Sequence, residues 1–322
     1  MKEISSINFR EALKRIENGI VKTPLVDFDS GYPEINLKLK LECLQKTKSF
    51  KARGALNQVL QLTDKQRKIG VVATSSGNHG KALSWAANKL NIPAVICMEK
   101  KAYKNKIEAC KKYGAKVVLR ESRKEAEKEC ANLVKKGFTL IHPYDSARTI
   151  EGAGTIGLEI AEQWPEVDLV CVASGGGGSI SGISMALKQE LGENVKILGV
   201  EPKGSPNLTK GLEEGGEFFL DQINTKIQGL CPLSTGKINV EICKKTVEKI
   251  LLLEDTLILN AQKKLMDSGK WIIEPAGAAA SAPILNQLLP GYFLKEKKNI
   301  NVVAIVSGGN AETEQIASLK LL

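Results

Sequence analysis

The sequence predicts an α/β protein made of two doubly wound lobes, each built on an open, twisted, mainly parallel sheet. Three observations carry that prediction. Short apolar, β-branched runs alternate with stretches of helical period along most of the 322 residues. The runs fall into two series, one between Val71 and Ile141 and another between Leu169 and Val306. Several of them stop at turns of small polar residues and glycine that lead directly into a helical pattern, and Gly175-Gly176-Gly177-Gly178 is the densest such turn.

Taken in order, residues 8–17 read as an amphipathic helix ending near Gly19, and Lys22-Thr23-Pro24-Leu25 as a turn into an extended segment. Residues 37–42 alternate strictly between apolar and polar, which predicts a strand with one wet face. Residues 45–55 then lead into a helical pattern over 56–62, with Ser49 as the expected cap. The runs at 71–73, 94–97, 116–119 and 139–141 supply one sheet, and all but the last precede a polar turn and a helical stretch. The runs at 169–173, 197–200 and 301–306 supply the second. Residues 213–236 lack periodicity and read as an irregular surface segment. There is no internal repeat, low-complexity tract or linker, so the lobes are expected to be joined by more than one crossing.

Composition narrows the function classes. Lys plus Arg exceed Asp plus Glu by 46 − 36 = +10, with the excess concentrated in residues 100–136. No basic run is interleaved with aromatic residues, so a solvated lysine-rich surface is expected rather than a nucleic-acid partner. The seven cysteines form no C-x-x-C pair and several lie within apolar runs, which suits reduced structural thiols in a cytoplasmic protein. Met1-Lys2-Glu3 opens into an amphipathic segment, and no apolar run approaches the ~18 residues of a membrane helix, so neither secretion nor a membrane partner is expected.

The glycine turn has the shape of an anion cradle. Without Cβ atoms, backbone N–H groups converge on a phosphate, and the helix that follows adds its positive dipole end. A ligand-free βα turn is the plainer alternative. No lysine follows the turn, which excludes a P-loop; Gly175 and Gly177 fit the dinucleotide pattern, but Ile180 stands at its third glycine. Glu201, after the next strand, occupies the place of a ribose-binding acid and keeps a nicotinamide protein as an alternative. Three further turns can face the same crevice at the carboxyl ends of parallel strands: residues 72–80, residues 307–310 and Ser49-Phe50-Lys51. Spacing alone does not separate Lys51 from the many other lysines.

Together, residues 45–55, 75–80, 175–178, Glu274-Pro275-Ala276-Gly277-Ala278 and 307–310 resemble, in order and spacing, the pyridoxal-phosphate (PLP) enzymes of the tryptophan-synthase-β fold, fold type II. The serine/threonine dehydratase and serine racemase branch is the nearest match, and the resemblance runs over nearly the whole chain. It implies PLP in the cleft between the lobes, a large PLP-binding domain of residues 1–68 plus 145–322, a small substrate domain of residues 69–144 inserted into it, and a homodimer. It also implies a short catabolic-type member without the regulatory domain of biosynthetic threonine dehydratases.

The resemblance assigns roles residue by residue. Lys51 carries the cofactor as an imine and then takes the substrate's Cα proton, which requires a desolvated amine of lowered pKa. Gly175, Gly176, Gly177 and Gly178 hold the phosphate, Phe50 packs near the pyridine ring, Asn78 bonds its phenolic oxygen and Ser307 faces its nitrogen. Ser75, Ser76, Asn78 and His79 form the substrate-carboxylate loop. Ser76 also matches the serine that hands a proton to the opposite face of Cα in serine racemase; binding the carboxylate alone is the other reading of it. Arg123 and Ser234 are similar to residues near the substrate in this family. A divalent cation, Mg²⁺ or Ca²⁺, falls on Glu201 and the Ser205 carbonyl, but Asn207 replaces the family's aspartate and weakens the site. Lys48 stands where glycine is usual. Lys81 replaces glutamine and brings a second cation beside the carboxylate loop. His142 reads as a structural strand-end histidine. The implied activity is a PLP-dependent ammonia-lyase that eliminates water from L-serine, L-threonine or a related β-hydroxy amino acid. The alternatives are a serine or aspartate-like racemase, a 3-hydroxyaspartate dehydratase, and a catalytically weakened PLP-binding protein.

Overall fold

The computed structural model describes residues 2–75, 77–102, 104–295 and 299–319. Its strands are β1 (Leu25–Phe28), β2 (Ile35–Lys40), β3 (Val71–Thr74), β4 (Ala94–Glu99), β5 (Lys116–Arg120), β6 (Thr139–Leu140), β7 (Leu169–Ala173), β8 (Lys196–Pro202), β9 (Lys249–Leu253) and β10 (Ile300–Ile305). They form a six-stranded sheet in the order β1-β2-β10-β7-β8-β9 and a four-stranded sheet in the order β5-β4-β3-β6. Every neighbouring pair among them is parallel except β1 with β2.

Parallel strands covered on both faces need apolar residues at every position, and both sheets show it. On β7, Leu169, Cys171 and Ala173 join one hydrophobic cluster while Val170 and Val172 join another. On β3 and β4, Val71, Ala73, Ala94 and Ile96 face one core while Val72, Val95 and Cys97 face the other. The two α/β lobes of the sequence prediction are therefore present. The chain passes from β2 to β3 through the helix Lys51–Leu60 and returns after β6 through the helix Ala147–Gln163, and these two helices pack on each other.

Four expectations need correction. The alternating strand has no continuous wet face, because Lys40 is fully buried and its Nζ donates to Glu159 Oε2 at 2.6 Å and to Thr23 O at 2.7 Å. β2 lies inside the sheet, between β1 and β10, and its far end runs beneath the helix Ala147–Gln163. Ser49 does not cap the helix Lys51–Leu60, whose N-cap is Phe50 without a side-chain bond; Ser49 instead forms an isolated antiparallel bridge to Gly308. β9 at the sheet edge was not anticipated, since its run Lys249-Ile250-Leu251-Leu252-Leu253 carries no alternation. Within residues 213–236, Ile227 and Leu230 are buried in the core, so that segment is irregular but anchored.

Candidate active site

The crevice between the two sheets collects the carboxyl-terminal turns of β3, β7 and β10. At the end of β7, Gly177 has φ +95° and serves as N-cap of the helix Gly178–Leu191 with no side-chain hydrogen bond. A side chain at Gly176 would collide with the ring of Tyr144, so this turn must be glycine for contact as well as for conformation. Asn239 Nδ2 at 2.8 Å, Gly236 N at 3.2 Å and Thr235 Oγ1 at 3.4 Å all donate to Gly176 O. Across the planar trans peptide, the Gly177 N–H then points the opposite way, away from those donors. The turn is thus held with donors presented and, among the described residues, no protein acceptor capping them, which suits an anion.

Lys51 is the first residue of its helix and its Nζ donates to Pro143 O at 2.7 Å, 5.0 Å from the centroid of the Phe50 ring. Burial lowers its pKa to about 8. Among the described residues no carboxylate pairs with the amine, and burial keeps an appreciable fraction of it neutral and nucleophilic near physiological pH. Both histidines of the chain lie within its electrostatic reach and are kept neutral: burial first, and Lys51 second, lower His79 to about 3 and His142 to about 4. His79 turns its ring into the core, where Nε2 lies 2.8 Å from Ile141 O, so it offers the loop only its backbone. His142 Nδ1 accepts from Asp145 N at 2.8 Å, a structural strand-end role.

At the end of β10, Ser307 Oγ makes a 3.3 Å bond to Ala276 O, and Ser307 O accepts from Phe50 N at 3.1 Å. These contacts place Ser307 beside the residue that precedes Lys51. At the end of β3, Ser75 Oγ accepts from Gly80 N at 3.0 Å and Gly77 N at 3.3 Å, closing the loop on itself. Ser76 lies outside the described residues. Asn78 crosses to the other lobe: its Nδ2 donates to Glu274 and its Oδ1 accepts from Asn310 Nδ2 at 2.8 Å. Lys81 Nζ donates to Asn310 Oδ1 at 2.7 Å, so its cation is directed to the β10 turn. Burial, then Lys48 and Lys106, lower Lys81 to about 8.

The third wall lies across the cleft. Arg123 starts the helix Arg123–Lys135, donates to Glu127 Oε1 at 3.1 Å and reaches Cys231 O at 3.2 Å. Ser234 Oγ lies 3.0 Å from the hydroxyl of Tyr144. Tyr144, Asn239 and Glu274 were not singled out as site residues from sequence. Tyr144 carries no sequence signal of its own; only the structure shows that it follows the Pro143 that receives Lys51.

The geometry fits PLP: an anion-binding turn, an amine deprived of water and a neutral hydroxyl surround one crevice, matching its phosphate, aldehyde and pyridine nitrogen. The expected cation site fits poorly. Both oxygens of Glu201 are already engaged, by Leu208 N at 2.8 Å, Thr209 N at 2.9 Å and Thr209 Oγ1 at 2.7 Å. Asn207 Nδ2 donates to Ser205 Oγ at 3.0 Å and Pro232 O at 2.8 Å, which leaves its buried Oδ1 without a partner among the described residues, a neutral oxygen where a carboxylate would bring charge. Among the described residues no group of three or more His, Cys, Asp or Glu could hold a metal ion. These contacts also leave Glu201 unavailable to a nucleotide ribose.

The chain is similar to several known proteins. Residues 16–308 match the family described as pyridoxal-phosphate dependent enzyme. The chain is 35% identical over 314 residues to an L-threonine ammonia-lyase of Thermotoga maritima, covering 96% of this chain and 76% of that one. It is 37% identical over 311 residues to a serine racemase of Arabidopsis thaliana, covering 95% and 93%. The solved structure of maize serine racemase superposes with a TM-score of 0.90 at 33% identity, covering 99% of this chain and 97% of that one.

Proposed function

Because this chain belongs to the family of pyridoxal-phosphate-dependent enzymes, we propose that it is an ammonia-lyase that eliminates water from L-threonine, L-serine or a related β-hydroxy amino acid, leaving a 2-keto acid and ammonia. The observation that carries the reading is the desolvated amine of Lys51, at a pKa of about 8, in the crevice that also holds the glycine cradle and Ser307. When bound, PLP supplies an electron sink for the bonds at the substrate's Cα. The chain's own residues do the rest.

Gly175, Gly176, Gly177 and Gly178 bind the phosphate through their N–H groups and fix the ring's position. Lys51 would hold the other end, and its amine, when free, is the base suited to remove the Cα proton. Ser307 offers the ring nitrogen a neutral hydroxyl, which does not force its protonation and so moderates electron withdrawal; that balance suits loss of a β-substituent better than transamination. Asn78, fixed by Glu274 and Asn310, holds the ring's edge from the small lobe. The loop of Ser75, Ser76, Asn78 and His79 receives the substrate carboxylate on backbone N–H groups at the start of the helix Asn78–Lys89.

The resemblance to serine racemases supports a second reading, racemisation of serine, in which Ser76 serves the opposite face of Cα. The hydrogen bond of Lys81 to Asn310 gives an acidic substrate such as 3-hydroxyaspartate less support. The same proposal includes residues 69–144 as the substrate domain, a cytoplasmic location in keeping with seven free cysteines, and a homodimer. The exposed side chains of Leu44 and Ile272, in neighbouring segments beside Gly309, support the dimer. Incubation of the purified holoenzyme with L-serine, L-threonine and 3-hydroxyaspartate, scored for keto acid and for the D-enantiomer, tests the function. Keto acid from serine or threonine is expected; neither product from any of them would overturn the reading.

A further inference from the structure

The reaction above leaves two hydroxyls of the third wall unassigned, those of Tyr144 and Ser234, which lie 3.0 Å apart. On the ammonia-lyase reading, we propose that the Tyr144 phenol donates the proton with which the substrate's β-hydroxyl leaves as water. Its placement is fixed from three sides. The preceding residue, Pro143, accepts Lys51 Nζ at 2.7 Å. The ring covers Gly176 of the cradle, where any side chain would strike it. Its edge meets the His142 ring at 4.8 Å between centroids with the planes 82° apart, and its hydroxyl lies 3.0 Å from Ser234 Oγ. Tyr144 therefore follows directly on the residue that receives Lys51 Nζ, and its ring covers the turn of the cradle.

The neighbouring groups cannot easily do this work. His79 and His142 are neutral, with pKa values near 3 and 4, so neither carries a spare acidic proton. The Asp145 carboxylate caps the helix Lys237–Thr246 through Ile238 N at 3.2 Å. Lys51 is occupied with the Cα proton. Burial raises the phenol above its ordinary range, so it keeps its proton at neutral pH and has one to donate. In the step, the electron pair left at Cα when Lys51 takes its proton forms the Cα=Cβ double bond, the Cβ–O bond breaks with its own pair on oxygen, and the phenol proton moves to that oxygen to give water. Ser234 hydrogen-bonds the phenolate, and the proton Lys51 took from Cα returns to it through solvent, resetting both groups.

The test compares two leaving groups in the holoenzyme. Hydroxide needs a proton to depart, whereas the chloride of β-chloro-L-alanine does not. Tyr144→Phe should lower kcat on L-serine and L-threonine by about 10²- to 10⁴-fold and leave turnover of β-chloro-L-alanine and the cofactor's visible band intact. Ser234→Ala, which keeps the ring, should show a smaller loss with the same selectivity for the hydroxyl substrates. Equal losses on both leaving groups in the two variants would mean a packing role and overturn the proposal, as would undiminished serine turnover. Failure of the unmodified enzyme on serine, threonine and β-chloro-L-alanine alike would instead overturn the lyase reading itself.

Discussion

Lys48 illustrates how a single backbone angle can explain a departure from a motif. It adopts φ +58°, a left-handed conformation that costs an L-residue with a side chain roughly 1–2 kcal/mol. The angle is imposed from both sides: Lys48 N donates to Gln45 O at 2.7 Å and Lys48 O accepts from Gly309 N at 2.8 Å. Glycine, the residue usual here in the resembling family, takes this angle freely, so Lys48→Gly should stabilise the protein by about 0.5–1 kcal/mol after its greater unfolded-state entropy is subtracted. Urea denaturation measures this, and a loss of stability would mean that the lysine side chain earns its place. At this scale Lys51, Ser307 and the four glycines stood out through the resemblance of their motifs, since spacing alone does not separate Lys51 from the other lysines. Tyr144, Asn239 and the contact of Glu274 with Asn78 did not, since each works between residues far apart in sequence: Asn239 on Gly176, Glu274 on Asn78, Tyr144 on Ser234.

Among the elements, the short helix Asn207–Glu214 depends on a carboxylate that lies outside it. Glu201, at the end of β8, is fully buried and receives the first free N–H groups of that helix, and burial raises its pKa to about 7. The folded state thus holds a proton that the unfolded state has released above its ordinary value near 4.5. Stability from this group is therefore greatest at low pH and declines as pH rises from about 4.5 through 7. Thermal midpoints measured between pH 5 and 8 should fall more steeply in the natural protein than in Glu201→Gln, and parallel profiles would contradict the assignment. Elements with clear period were legible in order and type, from the helix Phe9–Ile16 to β10. Those that escaped are set by tertiary context: β9 lacks alternation, and Lys40 looks exposed by pattern yet lies in a buried cluster with Arg53, Glu42 and Glu159. The two cations and two anions of that cluster balance, which makes such burial tolerable.

For the whole molecule, the arrangement of two sheets matters because it brings the start of the chain to its end. Lys51 follows β2, the cradle follows β7, Ser307 follows β10, and the loop with Asn78 comes from the other sheet, where it meets Glu274 and Asn310. The α/β class and the two lobes were legible from rhythm alone. The crevice was legible only as a rule about strand ends, since no local pattern states which turns meet. No described helix is long and apolar enough to cross a membrane. The central claim is that PLP is held covalently by Lys51 while the glycine turn binds its phosphate. Reduction of the holoenzyme with borohydride, digestion and mass spectrometry of the peptides tests it most directly. A single reduced cofactor adduct on the peptide containing Lys51 is the predicted result; an adduct on another lysine, or none with the visible absorbance unaffected, would contradict it.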